Sequence, residues 1–452
     1  MNYFNHEDTI CCITTGGGMS AIAIIRVSGD QAINITNSIF SKDISDTDSH
    51  TIHFGTIIDD NIIIDEVLVS VFKNNKSFTG EESVEISCHG STYIQNKITH
   101  ILIEKGCRIA TAGEFTMRSF RNGKIDLSQA ESIADLIASE GKAAHEIALK
   151  QLRGGFSNKL KGLRSKLIDF ASLIELELDF SEEDVEFANR SEFIVLLESI
   201  KDEVQRLIKS FSLGNVIKEG IPVAILGAPN VGKSTLLNCL LNEEKAIVSD
   251  IAGTTRDAIE DELNIDGFKF RFIDTAGIRK TTDTIENLGI ERTIEKAEKS
   301  NVILFIIDYN TNIYSQLDRL KGLKGSIKKK VLIVVNKADL NTTSHEVIKD
   351  AIYISAKNKT GIKTLKKRLL EFTGLNKLSN HDTIVTNHRH YNELNLTLEE
   401  LNTIIKSVNQ GVSGDFLAIN IRQALFHIGN ITGEITTDTI LGNIFGKFCI
   451  GK

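Results

Sequence analysis

In the first 120 residues, apolar and polar positions alternate with a period of two over several short runs. This period is typical of β-strands that are buried on one face. The links between several runs are too short for the crossovers that parallel strands need, so we expect mainly antiparallel pairing. A helical period covers residues 93–105. The pattern therefore predicts an α+β domain over residues 1–120, with strands at 8–14, 21–27, 51–58, 62–72 and 83–88.

From residue 127 onwards, the apolar positions follow a helical period instead. Residues 128–131 fit a capping box, in which Ser128 caps a helix and Glu131 bonds back to it. The helical pattern continues to about residue 212, and we expect residues 211–220 to form a linker. The pattern thus predicts a first helical region over residues 121–217.

A region in which strands and helices alternate, residues 218–375, separates this helical region from a second one at residues 376–452. The simplest arrangement is an insertion, with both helical regions packed into one bundle. The alternative is two independent helical units, but a C-terminal unit of about 65 residues would bury only a thin core. The shared bundle is therefore our expectation.

The alternating region begins with a phosphate-binding motif. Gly227–Ser234 fits the template G-x-x-x-x-G-K-[ST], with an apolar run before it and a helical pattern after it, which is the context this motif requires. Glycines let successive backbone N–H groups point at phosphate oxygens. Lys233 can reach the β- and γ-phosphates, and the Ser234 hydroxyl can bind Mg²⁺. The motif indicates a nucleoside triphosphate site.

Three further loops indicate that the base is guanine. They are residues 274–277, 336–339 and 355–357, and each follows a predicted strand, where open α/β sheets place their ligands. The Asp339 carboxylate suits the N1–H and exocyclic amine of guanine, a donor pair that adenine lacks. The residues that we expect to contact GTP are Asn230, Val231, Gly232, Lys233, Ser234, Thr235, Ser249, Thr254, Thr255, Asp274, Thr275, Ala276, Gly277, Asn336, Lys337, Asp339, Ser355, Ala356 and Lys357.

Composition limits the environment and the partners of the chain. No run of the 452 residues is apolar and long enough to span a bilayer, and the first residues lack the features of a signal peptide. The six cysteines have no metal-ligand spacing, so we expect a reduced, cytoplasmic protein. The net charge of −8 argues against nucleic-acid binding driven by total charge, but a local basic face is compatible with it.

Motifs outside the nucleotide loops resemble a known family, the tRNA uridine-modification GTPases called MnmE or TrmE. The similar segments lie throughout the chain, at residues 8–10, 25–29, 78–82, 113–116, 124–131, 250–257 and 448–452. The resemblance implies a multidomain α/β plus α+β protein. It would have an N-terminal folate-binding-like α+β domain, a helical bundle domain and an inserted Ras-like P-loop GTPase domain.

The resemblance also implies a function. Members of the family use GTP hydrolysis to modify carbon 5 of the wobble uridine, position 34, in certain tRNAs. They form homodimers and act with the flavoprotein MnmG (GidA), which carries FAD, as a heterotetramer. A tetrahydrofolate derivative, in the 5-formyl or 5,10-methylene form, supplies a one-carbon unit. By motif position, the folate site would be formed by Arg26, Glu85, Lys124 and Lys452.

The residues alone also allow structural roles instead of folate binding. Glu85 fits a solvent-facing strand position, and Lys124 fits a surface turn. For Cys449, the alternatives are a small packed residue or a reactive thiol with a catalytic role.

Hydrolysis needs a further group because Ile278 stands where Ras-like proteins carry a glutamine that positions water. The family's water-orienting acid matches Glu286, whose alternative role is a carboxylate at a helix start. Thr255 suits Mg²⁺, together with Ser234. Oxygen atoms of Asn230, Ser249, Ile251 and Thr254 suit a hard cation, which is K⁺ in the family.

A second class of function is a regulatory or ribosome-assembly GTPase similar to Era and EngA. Such a protein would need neither the folate-type domain nor Cys449, and we see no RNA-binding module of the kind that it usually carries.

Overall fold

The computed structural model describes residues 8–73, 75–179, 190–245, 261–273, 300–311, 316, 330–340, 348, 350–374, 383–412, 414–449 and 451. Its Cα positions divide the chain into two compact units. The first comprises residues 1–137, 150–201 and 396–452, and the second comprises residues 138–149 and 202–395. None of the helices described is both long enough and apolar enough to cross a membrane.

The first unit contains the predicted α+β domain. Its six strands form one sheet in the order β3-β4-β5-β2-β1-β6, antiparallel except for β1 with β6. The predicted strands are confirmed with ends that differ by at most two residues. The elements are β1 Ile10–Ile13, β2 Ile22–Ser28, α1 Ala32–Asn37, β3 Thr51–Asp59, β4 Ile62–Phe72, β5 Ser83–His89, α2 Thr92–Glu104, β6 Arg108–Ile109 and α3 Glu114–Arg121.

One face of this sheet packs on α1 and α2. The apolar residues of β2, β4 and β5 that point to this face are completely buried, for example Ile25, Val69 and Ile86. This alternation of buried and exposed positions is why the strand boundaries could be predicted from a period of two.

The helices that follow are α4 Leu127–Ile137, α5 Lys142–Leu152, α6 Gly155–Asp179, α7 Arg190–Glu219, α10 His388–Asn409, α11 Gly414–Thr432 and α12 Asp438–Phe445. Within the first unit, α11 packs along α6, and ion pairs join Arg164 to Glu434 at 2.6 Å and Arg422 to Glu175 at 2.6 Å. The two helical regions of the sequence thus contribute helices that contact each other.

The predicted capping box at residues 128–131 is wrong, because the box lies two residues earlier. Asp126 Oδ1 accepts a hydrogen bond from the Gln129 backbone N–H at 3.0 Å, and Gln129 Oε1 accepts one from the Asp126 N–H at 2.9 Å. Ser128 instead donates to Asp126 and bonds with Ser157 inside the core. A carboxylate is at least as good an N-cap as a hydroxyl, so α4 begins after Asp126.

The predicted linker at residues 211–220 is also wrong. Helix α7 continues without a break to Glu219, and β7 starts at Ile221. Ile217, in the last turn of α7, is 5% exposed and belongs to the hydrophobic core around β7. Tertiary packing of this kind stabilises a helix whose local sequence pattern is weak.

The second unit is built on a six-stranded sheet with the order β12-β11-β10-β7-β9-β8, in which only the β8–β9 pair is antiparallel. Its elements are β7 Ile221–Gly227, α8 Lys233–Lys245, β8 Asp261–Ile265, β9 Phe268–Phe272, β10 Val302–Asp308, β11 Lys330–Asn336, a short 3₁₀ turn Ala338–Leu340, β12 Ile352–Tyr353 and α9 Ile362–Thr373. The largely parallel sheet confirms the expected α/β class, and it aligns the carboxyl ends of β7, β10 and β11 at one edge.

Candidate functional site

The phosphate-binding motif forms the loop between β7 and α8. Three of its residues have positive φ angles, which are 154° at Gly227, 61° at Asn230 and 96° at Gly232. A Cβ atom at Gly227 would come within 2.4 Å of the Ile306 carbonyl oxygen on the neighbouring strand β10. Because only glycine avoids this clash, the motif's first glycine lets the loop turn tightly at the sheet edge.

Lys233 is the first residue of α8, and its side chain folds back over the loop. Its Nζ donates hydrogen bonds to the carbonyl oxygens of Gly227 at 3.0 Å and Ala228 at 2.7 Å. The ammonium group therefore lies over the loop, within reach of an anion that binds there, and the helix N-terminus adds a favourable field for such an anion. Ser234 is half-buried and Thr235 is exposed in the same turn of the helix.

Asn336 joins this loop to a second predicted nucleotide loop. Its Nδ2 donates to the Val231 carbonyl oxygen at 2.9 Å, and its Oδ1 accepts from the Ala356 backbone N–H at 3.0 Å. Asn336 is 2% exposed. A side chain that is buried and bonded at both ends fixes the distance between the two loops.

Lys337 makes a further connection at the same edge. Its Nζ donates to the Asn230 carbonyl oxygen at 2.9 Å and forms an ion pair with Asp308 at 2.6 Å. Sequence reasoning missed Asp308 and the strand β10 that ends there. The signal was present as an unbroken apolar run, residues 302–307, which is typical of a strand buried on both faces.

The residues predicted to recognise the base lie close together in the turn after β11 and the loop after β12. Asp339 is exposed, and its Oδ2 accepts a hydrogen bond from Asn358 Nδ2 at 3.1 Å. Ser355 and Ala356 are buried, whereas Lys357 is exposed. The loop after β12 therefore lies beside the carboxylate that we expect to bind the base.

Several predicted site residues lie outside the described part of the chain. These are Ser249, Ile251, Thr254, Thr255, Asp274, Thr275, Ala276, Gly277, Glu286 and Lys452.

In the first unit, the predicted folate residues Arg26 and Glu85 are partners across β2 and β5. Their side chains form an ion pair, with Glu85 Oε1 2.9 Å from Nε and 2.8 Å from an Nη atom of Arg26. The guanidinium also lies over two aromatic rings, 5.5 Å from the Phe78 centroid and 5.4 Å from the Phe115 centroid. Sequence reasoning missed both aromatic residues, although each lies in one of the quoted motifs.

The loop that carries Phe78 is held by a buried set of hydroxyl groups. Ser28 Oγ lies 2.7 Å from Thr79 Oγ1 and donates to Glu81 at 2.7 Å. Lys124 closes the other side of this loop, because its Nζ donates to the Asn75 carbonyl oxygen at 2.7 Å. The three predicted folate residues within the described structure therefore lie on or beside this one loop.

An ion-pair network in the same domain joins β6 and α3 to the segments that precede β1 and β5. Arg108 contacts Asp8 at 2.6 Å and Glu114 at 2.5 Å, and Arg118 contacts Glu114 at 3.2 Å and Glu81 at 3.1 Å. Burial raises the pKa of the Glu114 carboxyl, but hydrogen bonds and charge from the two arginines, with one from the Thr111 amide, lower its pKa below the ordinary value. Glu114 is therefore an ionised carboxylate inside the domain.

The C-terminal segment lies against this domain within the first unit. The Cys449 carbonyl oxygen accepts a hydrogen bond from the Gly113 N–H at 3.4 Å, and Phe445 is buried against Met117 and Leu127. Gly113 has a φ of 67°, and a Cβ there would lie 2.6 Å from the Phe445 carbonyl oxygen. The Cys449 thiol is exposed, whereas the other five cysteines are buried.

Two family models match this chain. Residues 9–124 match the model of the GTP-binding protein TrmE N-terminus, and residues 127–449 match that of the MnmE helical domain. The G domain of FeoB from Methanococcus jannaschii is 25% identical over 34% of this chain and 98% of that chain, with a TM-score of 0.25.

Relatives that align with nearly the whole chain have a higher sequence identity than the FeoB domain. The tRNA modification GTPase MnmE of Flavobacterium psychrophilum is 54% identical, over 99% of this chain and 100% of that protein. The protein of the same name from Christiangramia forsetii is 53% identical over 99% of both chains, and that from Bacteroides fragilis is 50% identical over 99% and 100%. These matches cover the N-terminal, helical and nucleotide-binding regions together, and the chain belongs to the MnmE (TrmE) family of tRNA modification GTPases.

Proposed function

We propose that this chain hydrolyses GTP as part of a tRNA modification reaction, the activity named for its relatives. The observation that carries the proposal is the pair of hydrogen bonds from Asn336 to Val231 and Ala356, which holds the phosphate loop and a base-side loop at one sheet edge. This arrangement suits a nucleotide whose phosphates and base are bound at the two ends of the edge.

Within this site, we assign Lys233 and the loop amides to the phosphates and Asp339 to guanine. Ser234 and Thr255 would hold Mg²⁺, which neutralises phosphate charge when it is bound. The positive φ angles of the loop and the position of the Lys233 Nζ fit this assignment.

For hydrolysis, we assign Glu286 to orienting the attacking water, because Ile278 has no polar group for this task. Oxygen atoms of Asn230, Ser249, Ile251 and Thr254 would hold K⁺, which supplies positive charge near the phosphates when it is bound.

We further assign a tetrahydrofolate derivative, 5-formyl or 5,10-methylene, to the site of Arg26, Glu85, Lys124 and Lys452. An arginine–carboxylate pair beside two aromatic rings offers hydrogen-bond donors, acceptors and flat apolar faces, which fit a pterin ring. When bound, the folate would supply the one-carbon unit for a carboxymethylaminomethyl-type group at carbon 5 of uridine 34, in a reaction shared with the FAD-containing flavoprotein MnmG.

Self-association is part of the proposal and is supported by an exposed apolar surface on strands β3 and β4. Ile52, Phe54 and Leu68 are 65%, 56% and 45% exposed, and Phe54 pairs with Leu68 across the strands. β3 is an edge strand of the sheet. An apolar edge of this kind is usually covered in solution. A homodimer through the N-terminal domain would cover it, and two such chains with two flavoproteins would make the heterotetramer.

The test measures phosphate release by the purified protein and wobble-uridine modification in a reaction reconstituted with the flavoprotein, tRNA and folate. We expect both activities, and we expect truncation of residues 449–452 to abolish modification but leave GTP hydrolysis near the wild-type rate. Phosphate release without any modified uridine would contradict the tRNA modification function and favour an RNA-binding GTPase of the Era type.

A further inference from the structure

A short part of the helical region has an unusual charge. Residues 147–168 contain six basic side chains and no acidic one, although the whole chain has a net charge of −8. The six are Lys150, Arg153, Lys159, Lys161, Arg164 and Lys166. Such a segment within an acidic chain attracts polyanions locally, whatever the total charge is.

The structure separates the six by their exposure. Helix α6 buries Phe156, Leu160, Leu163 and Leu167 along one face. On its solvent face, Lys161 and Lys166 are exposed, as are the small residues Gly162 and Ser165 between them and Asp169 one turn after Lys166. Arg153 is exposed in the turn before the helix. We call Arg153, Lys161 and Lys166 the basic surface.

Internal carboxylates neutralise little of this surface. Lys161 lies 3.7 Å from Asp126 Oδ2, which is a long ion pair, and Lys161 remains 54% exposed. For Arg153 and Lys166, the described parts of the chain provide no carboxylate within ion-pair distance. In contrast, Arg164 is paired with Glu434 at 2.6 Å and has a structural partner. The three members of the basic surface therefore keep charge that is available to a partner.

The helix that follows Arg153 and carries Lys161 and Lys166 packs on an element that contacts the C-terminal segment. The start of α6 bonds to α4 through Ser157 and Ser128 at 2.8 Å, and α4 packs through Leu127 on Phe445. Four residues after Phe445, Cys449 bonds to the N-terminal domain. Packed contacts thus connect helix α6, through α4, with the segment that carries the exposed thiol.

From these observations, we propose that the basic surface binds the phosphate backbone of the tRNA substrate. The inference rests on the proposed function for the identity of the RNA. Exposed lysines and an exposed arginine suit contacts to phosphates, which position a nucleic acid without reading its sequence. An acidic protein partner is the competing occupant, and measuring flavoprotein binding beside tRNA binding separates the two.

The experiment compares the wild-type protein with the triple variant Arg153→Ala, Lys161→Ala, Lys166→Ala. A control triple variant, Lys42→Ala, Lys105→Ala, Lys406→Ala, removes the same charge from exposed positions elsewhere in the first unit. The measurements are tRNA affinity over a range of salt concentrations, GTP hydrolysis and binding of the flavoprotein.

We expect the basic-surface variant to bind tRNA roughly 10- to 100-fold more weakly at about 0.1 M salt, with the slope of log K against log salt smaller by about two to three. The control variant should keep the wild-type affinity and slope, and GTP hydrolysis should be unchanged in both. If the triple variant does not fold, Arg153→Gln and Lys166→Gln should each reduce the slope by about one.

Unchanged tRNA affinity and slope in the basic-surface variant would overturn the inference while leaving the proposed function intact. Normal tRNA binding with loss of flavoprotein binding would also overturn it, because the surface would then serve a protein. A wild-type protein that binds no tRNA would refute the proposed function itself.

Discussion

The bridge made by Asn336 allows a quantitative prediction. Replacing Asn336 with alanine removes the donor to the Val231 carbonyl, at 2.9 Å, and the acceptor for the Ala356 N–H, at 3.0 Å. Val231 and Ala356 are 2% and 4% exposed, so water cannot easily replace either bond. A buried polar group left without a partner costs about 1–3 kcal/mol.

Two such groups give an expected cost of roughly 2–4 kcal/mol, after allowance for partial relaxation of the loops. If this cost falls on the arrangement of loops that binds GTP, the affinity should drop about 30- to 1,000-fold. The assay is the equilibrium dissociation constant of a fluorescent GTP analogue. Asn336→Asp keeps the acceptor but replaces the donor with a charged oxygen that faces the Val231 carbonyl, so it should lose at least as much affinity as Asn336→Ala.

The matched control is Asn301→Ala, an exposed asparagine just before β10, which should leave GTP affinity within about twofold of the wild type. If Asn336→Ala binds GTP as tightly as Asn301→Ala, the bridge does not organise the nucleotide site. The reasoning from buried hydrogen bonds would then be wrong for this edge of the sheet.

Four further predictions concern other groups. Asp339→Asn should weaken GTP binding by about 2–4 kcal/mol and favour binding of xanthosine triphosphate, since it exchanges an acceptor for a donor. Unchanged GTP affinity would contradict the base assignment. Turnover should be faster in K⁺ than in Na⁺, and Asn230→Ala should remove this difference while GTP stays bound; equal wild-type rates in both salts would refute the cation site. Because the folded-state pKa of Glu114 lies below its ordinary 4.5, its stabilising effect should be full above that value and lost as pH falls through the lowered pKa. In the Glu114→Gln variant, the unfolding temperature should therefore fall less steeply at acid pH than in the wild type. An unchanged dependence on pH would argue against an ionised Glu114. Cys449→Ser should hydrolyse GTP normally but lose part of the tRNA modification; full modification would leave the thiol without a catalytic role.

Local patterns in the sequence were sufficient for much of the fold. The β4 boundaries, Ile62 and Phe72, were predicted without error because the strand is buried on one face and alternates regularly. The phosphate loop was predicted because its spacing and its flanking elements are both specific. In each case, the information lies within a few consecutive residues.

The errors occurred where several local solutions were possible. Ser128 and Asp126 are both acceptable helix caps, and only the structure reveals that Ser128 is needed in the core beside Ser157. Residues 211–220 have a weak helical pattern, and their helix depends on Ile217 packing against the sheet. The missed strand β10 is uniformly apolar, so neither a period of two nor a helical period identified it.

The contacts least accessible to sequence reasoning join residues far apart in the chain. The turn of the β8–β9 hairpin meets the segment that begins α5: the Ala143 N–H donates to the Gly267 carbonyl at 3.2 Å, and Lys269 contacts Glu140 at 2.6 Å and Glu262 at 2.6 Å. Although burial lowers the pKa of Lys269, the two carboxylates raise it above its ordinary value, so this lysine remains charged between them.

The hairpin lies between the segment predicted to hold the cations, which ends at Thr255, and the loop that starts at Asp274. No period or motif in residues 138–149 indicates this contact, because it joins two segments about 130 residues apart. Sequence patterns therefore predicted the phosphate loop, whereas the contact between the β8–β9 hairpin and residues 140–143 required the folded structure.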